Sequence, residues 1–179
     1  MIWITGDQHW GHARIIELCN RPFRDVAEMN EMLIANYNAV VGPDDEVYFL
    51  GDVAWKDVIA ATNILRHRLN QSKRYLLIGN HDHKNIRDPM FASCFEWIKD
   101  YHELTYNKQL YVMSHYPFHS WRNSNRASFC CHGHTHSKID NSQHYRMDCG
   151  VDNPLCGFAP ISIEAIEALM KAKQVEAKW

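Results

Sequence analysis

Tyr75-Leu76-Leu77-Ile78-Gly79-Asn80-His81-Asp82 is the stretch on which the fold of this chain turns. A four-residue apolar run stops at a glycine and then delivers an amide, an imidazole and a carboxylate in succession. That length, with a bounding glycine and aromatic content, reads as a buried strand rather than a helix. The same pattern recurs at Ile2 to Thr5 before Gly6-Asp7-Gln8-His9, and at Val47 to Leu50 before Gly51-Asp52. It appears again at Leu110 to Met113 before Ser114-His115, and at Ser128 to Cys131 before His132-Gly133-His134-Thr135-His136. Turn chemistry accounts for Gly79 and Asn80, which tolerate positive φ, but gives no reason for His81.

Helical patterns fill the gaps between these runs. Asp25 and Glu28 form a capping box, followed by Met29, Met32, Leu33 and Tyr37 at helical spacing. Asp57 to Asn70 carries Val58, Ile59, Leu65 and Leu69, and a last helix is expected from about Ser162 to Ala177 behind Pro160. Leu104 to Met113 reads as an antiparallel hairpin turning at Asn107-Lys108, which makes the sheet mixed. Strands alternating with helices predict an α/β layered domain, and 179 residues predict one domain over 1–179. In such sheets sites form beyond the carboxyl ends of the strands, where all five polar endings fall.

Composition narrows the function classes. An apolar fraction of 46% with 22% charged residues excludes disorder. A net charge of −2 and the lack of any long run of like charges argue against strong sequence-independent binding to nucleic acid or to an anionic membrane. No stretch approaches the roughly 18 apolar residues of a membrane span, and Asp7 interrupts the N-terminus too early for a signal peptide. A cytoplasmic protein with reduced cysteines is expected. Histidine is in excess: twelve residues, more than the eight glycines.

The strand endings supply Asp7, His9, Asp52, Asn80, His115, His134 and His136, all oxygen or nitrogen donors. Together they exceed the usual four ligands of one zinc ion and suit two five- or six-coordinate divalent ions, provided one carboxylate bridges. Mixed imidazole, carboxylate and amide ligation favours Mn, with Fe, Zn or Ni as alternatives. A rival is a zinc-stabilised module built from Cys130, Cys131, His132, His134, His136 and Cys149. Its cysteine spacing matches no finger, and it leaves Asp7, Asp52 and Asn80 idle.

In this order, Asp7-x-His9, Gly51-Asp52, Gly79-Asn80-His81-Asp82, His115 and Gly133-His134-Thr135-His136 resemble the signature of the calcineurin-like metallophosphoesterase superfamily, above all its small uncapped bacterial and phage members. The resemblance implies a four-layer fold, two mixed β-sheets in a sandwich flanked by helices, with a dinuclear centre at the strand ends. It implies that Asp7, His9, Asp52 and His136 hold one metal and that Asp52, Asn80, His115 and His134 hold the other, with Asp52 bridging. His81 would lie beside the metals without ligating them, and Asp82 would orient its ring.

Two ions about 3.5 to 4 Å apart can clamp a phosphate and activate a bridging hydroxide for in-line attack on phosphorus. His81 is then the expected general acid for the leaving oxygen. Because 179 residues leave no room for a cap domain, an open site is expected, and with it a phosphodiesterase acting on a small or nucleotide-like substrate. A phosphomonoesterase, including a protein phosphatase, is the alternative, followed by a nuclease and then a non-catalytic scaffold. His12, and Trp121, Arg122 and Arg126 in the segment between His115 and the last of the five strands, are the candidate substrate contacts.

Overall fold

A computed structural model describes residues 1–173, and in it nine strands form two sheets. The first joins β1 (Ile2–Thr5), β2 (Glu46–Phe49), β3 (Lys73–Leu77), β4 (Trp97–Lys99) and β9 (Ile161–Ser162) in the order β4-β3-β2-β1-β9. The second joins β5 (Tyr101–Tyr106), β6 (Gln109–Ser114), β7 (Phe129–His132) and β8 (Arg146–Asp148) in sequence order. Each sheet is parallel except at one edge pair: β9 runs against β1, and β5 runs against β6. The β5–β6 hairpin turns at Asn107 and Lys108, with φ of 48° and 65°. Two left-handed residues of this kind match the twist of the flanking strands.

Alternation along the strands splits the core in two. Trp3, Val47, Phe49 and Leu76 face the cluster that Ile15 joins from α1 (Ala13–Leu18) and that Met29, Leu33, Ile34 and Tyr37 join from α2 (Val26–Val40). Ala61 of α3 (Val58–Asn63) and Phe91 of α4 (Pro89–Ala92) complete that layer. The opposite side chains, Ile4, Tyr48, Leu50 and Leu77, meet Tyr111, Met113, Phe129 and Cys131 of the second sheet. Ile166 and Met170 of α5 (Ile163–Lys171) close the same cluster. This is the two-sheet sandwich with flanking helices that the sequence led us to expect. On the outer face of the second sheet, Arg146 donates to Asn141 Oδ1 at 2.6 Å and to the Phe118 carbonyl at 2.8 Å, which ties the loops there to β8.

The helices depart from the sequence reading in instructive ways. Asp25 accepts the Glu28 amide at 2.9 Å, but Glu28 reaches back to the Arg24 N–H rather than to that of the cap. Met32 is exposed and Ile34 takes its place in the core. Asp57 caps α3, yet the helix ends at Asn63 and a wider π-type turn, Ile64–Arg68, follows it. Leu65 within that turn and Leu69 after it are buried, while Ile59 at the start of α3 is 71% exposed. Ser162 Oγ caps α5 by accepting the Ala165 amide at 3.1 Å; the helix ends at Lys171, with Ala172 and Lys173 beyond it, and the rest of the expected stretch towards Ala177 lies outside the described residues. Among the described residues, no helix is long and apolar enough to cross a membrane.

Candidate metal centre

Backbone hydrogen bonds continue beyond the strand ends and lock the functional loops together. Asp7 N–H donates to the Gly51 carbonyl at 2.9 Å, His9 N–H to Asp52 at 3.0 Å and Trp10 N–H to Val53 at 3.1 Å. Five of the seven donor residues adopt left-handed φ: Asp7, His9, Asp52, His134 and His136, at 59°, 54°, 54°, 68° and 46°. Non-glycine residues rarely occupy that region, and such strain concentrates at functional sites. The two glycines of the Gly-Asp and Gly-Asn turns are required by crowding. A Cβ on Gly79 would lie 2.3 Å from Asp52 Oδ1, and one on Gly51 would lie 2.7 Å from His115 Nδ1.

The donor atoms of Asp7, His9 and His136 lie within 4.8 Å of one another, and so do those of Asp52, His115 and His134. A third trio at the same spacing is His9, Asp52 and His81. Asp52 Oδ2 lies 3.6 Å from His9 Nε2 and 3.6 Å from His115 Nε2, so one carboxylate oxygen faces both groups. Asn80 Oδ1 is 3.0 Å from His115 Nε2 and belongs to the second group.

Neighbours fix which ring nitrogens are free. The Leu50 carbonyl, 2.7 Å from His115 Nδ1, holds the proton there and leaves Nε2 as the donor. Asp152 Oδ2, 2.6 Å from His136 Nδ1, does the same for His136. His9 is different. It is 1% exposed, and neither of its ring nitrogens has a hydrogen-bond partner. Burying a polar ring without a partner is costly, and a cation between His9, Asp7 and Asp52 removes that cost. The orphaned imidazole and the all-oxygen-and-nitrogen donor set therefore fit divalent metal ions.

The electrostatics are consistent with this. Burial pushes the Asp7 carboxyl well above the usual range, and the nearby Asp148 and Asp52 carboxylates add to the effect. Burial also drives the pKa of His9 far down and lowers that of His115, which keeps both rings neutral and their lone pairs available. For His136, burial opposes the charge, but hydrogen bonding to Asp152 and the nearby Asp7 carboxylate raise it to about 10. Asp7, Asp148 and Asp52 crowd one buried region, so a cation placed among them would favour their ionised forms.

The role expected of Asp82 needs correction. Asp82 makes no hydrogen bond to the His81 ring. Its buried carboxylate accepts the amides of Asp52 at 2.7 Å, Gly79 at 2.9 Å and Val53 at 3.1 Å, stapling two loops together. A carboxylate at a turn satisfies nearby backbone donors before it reaches a side chain. Of the candidate substrate contacts, Trp121 turns its indole N–H to Ser128, and Arg122 pairs with Glu103 on β5. Arg126 is exposed in a short 3-10 turn. His136 stands with Asp7 and His9, and His134 with Asp52 and His115, both on left-handed backbone. Cys130, Cys131 and Cys149 are buried free thiols packed as apolar side chains, which removes the zinc module.

His12 does enter the site's surroundings. Its ring lies 5.4 Å from that of His9 and stacks on Trp55 at 4.0 Å. The sequence reading missed Trp55, although it follows Asp52 by only three positions. It also missed Tyr116, whose ring lies 4.9 Å from His115 and 4.7 Å from His134. A third omission is Asp152, bound through both carboxylate oxygens by buried Arg21 at 2.8 Å. Arg21 also donates to the Asp7 carbonyl at 2.7 Å, so the pair braces both His136 and the Asp7 loop.

Comparison with known proteins agrees with this geometry. Residues 1–148 match the model of the calcineurin-like phosphoesterase family. The chain belongs to that family. Its reaction class is accordingly metal-dependent phosphoester hydrolysis. The chain is 32% identical to the uncharacterized protein MJ1445 of Methanocaldococcus jannaschii, over 97% of this chain and 93% of the other. It is 31% identical to the Gene 66 protein of Mycobacterium phage L5, over 84% and 86% of the two chains. Among solved structures, the protein of unknown function AQ665 from Aquifex aeolicus superposes with a TM-score of 0.73 at 22% identity, covering 94% of this chain and 98% of the other. That likeness shows a shared fold.

Proposed function

We propose that this phosphoesterase uses two divalent ions, Mn²⁺ by preference with Fe, Zn or Ni as alternatives, to hydrolyse a small or nucleotide-like phosphodiester. Asp7, His9 and His136 would hold one ion, and Asn80, His115 and His134 the other, with Asp52 shared. The observation that carries this reading is the unpartnered His9 ring beside a carboxylate that faces both groups. Bound there, such ions supply Lewis-acid polarisation of the phosphoryl oxygens and an activated water at neutral pH.

The chain's own residues do the rest. Asp52 Oδ1 accepts the His81 amide at 2.8 Å and fixes where that residue leaves the backbone. The His81 side chain is 32% exposed, the most open of its trio, so a leaving oxygen can reach it and take its proton. His12 borders the same wall and is placed to contact substrate. Exposure of Asn80 and His134 supports an open cleft that admits a diester. Six free cysteines suit a reducing compartment, the cytoplasm.

The test is metal-free protein reloaded with Mn²⁺ and assayed on bis(4-nitrophenyl) phosphate and on 4-nitrophenyl phosphate. The expected result is hydrolysis with the diester preferred. A reversed preference assigns a phosphomonoesterase, and no hydrolysis with any divalent ion assigns a scaffold.

A further inference from the structure

His81 lacks the carboxylate partner expected to steer its ring. Asp82 is committed to three backbone amides, and Asp52 Oδ2 lies 3.9 Å from His81 Nε2, beyond hydrogen-bonding reach. The bond from the His81 amide to Asp52 anchors the backbone but leaves rotation of the side chain open. What the ring does touch is aromatic. Trp55 meets it edge-on, with centroids 4.7 Å apart and planes at 62°, and His9 closes the other approach at 5.2 Å and 67°.

Trp55 is itself held from several directions. His12 lies flat against it at 4.0 Å and 6°, and Lys56 Nζ sits 5.0 Å from the ring centroid. Its amide donates to the Trp10 carbonyl at 2.9 Å, the last bond of the ladder that joins the Asp7 and Asp52 loops. A ring clamped in this way forms a rigid wall. An imidazole against it loses rotamers that an open site would allow.

We propose that Trp55, backed by His12, is the positioning residue that holds the His81 ring where it protonates the leaving oxygen. The proposal rests on the reading of His81 as general acid. Misplacing a reacting group by about 1 Å can cost on the order of 10²-fold in rate. Trp55 acts through His81, and its loss is therefore felt where the leaving group needs a proton.

The experiment compares Trp55→Ala, Trp55→Phe, His81→Ala and the double alanine variant, reloaded with Mn²⁺, on diphenyl phosphate and bis(4-nitrophenyl) phosphate. Nitrophenolate departs without a proton, whereas phenolate needs one. In Trp55→Ala, kcat on the phenyl ester should fall relative to the nitrophenyl ester by about 10-fold or more, a fraction of the roughly 10²- to 10⁴-fold that general acids supply. Trp55→Phe should recover most of that ratio, and Trp55→Ala should cost nothing further on the His81→Ala background. Independently of activity, histidine-labelled metal-free protein should show a ring resonance that is absent in His81→Ala and that loses its ring-current shift in Trp55→Ala.

Equal losses on both esters, or additive losses in the double variant, would overturn the proposal. So would a rise in KM at an unchanged kcat ratio, which would make Trp55 a platform for substrate. If neither ester is hydrolysed by the unaltered protein, the functional reading fails by itself. The resonance then decides the contact alone: an unmoved His81 signal refutes it, and a shifted one shows that Trp55 holds the ring although its part in proton transfer falls with the functional reading.

Discussion

On one side of Asp52 lie buried Asp7 and His9 with half-buried His136, braced by the buried Arg21–Asp152 pair. On the other lie His115, its ring held by the Leu50 carbonyl, and His134, its amide held by the Asp7 carboxylate, with Asn80; His134 and Asn80 are open to solvent. Buried ligands are already organised for a cation, while exposed ones must be ordered when it arrives. The deep group should keep its ion, and the open group should exchange it and meet substrate. The shared Asp52 makes the two sides one centre.

Asp52→Asn is the severest challenge to that comparison. It removes the anionic oxygen that both groups use, and we expect it to abolish turnover and lower the metal content measured by atomic absorption at both positions. His81→Ala should keep both ions and lose roughly 10²- to 10⁴-fold in kcat with a phenolate leaving group. Loss of an ion in that variant would place His81 among the ligands, as the His9–Asp52–His81 grouping allows. Asp152→Asn should weaken metal binding about 10- to 100-fold, the usual cost of removing a histidine's carboxylate partner, and calorimetry should find that loss in the tighter of two binding steps. Equal weakening of both steps would erase the asymmetry. The smallest effect is expected for Asp25→Ala, at the cap of α2 and remote from both groups. It should cost about 1 kcal/mol in denaturant unfolding and leave metal binding unchanged.

What was legible in the sequence was local. Each strand ending holds its donors within a few residues of an apolar run, so Asp7, His9, Asp52, Asn80, His115, His134 and His136 could be read off and the sheet direction inferred. Asp152 could not. It meets Arg21 across 131 positions, and neither residue sits beside a motif. The π-type turn after α3 escaped too, because packing selects it rather than the spacing of Leu65 and Leu69. Asp82 is a subtler case: resemblance gave it a side-chain partner, while the ordinary habit of a turn carboxylate, accepting nearby amides, points to the arrangement found. Trp55 carried a signal in its nearness to Asp52, but an aromatic residue after a strand reads first as core.

The central claim is that two ions, one held deeply and one openly around Asp52, are both needed for hydrolysis. Titration of metal-free protein with Mn²⁺, following bound metal and diester turnover on the same samples, tests it most directly. The account predicts two equivalents per chain, the first tight and nearly silent, with turnover rising alongside the weaker second. Saturation at one equivalent, or full turnover before the second is bound, would contradict it.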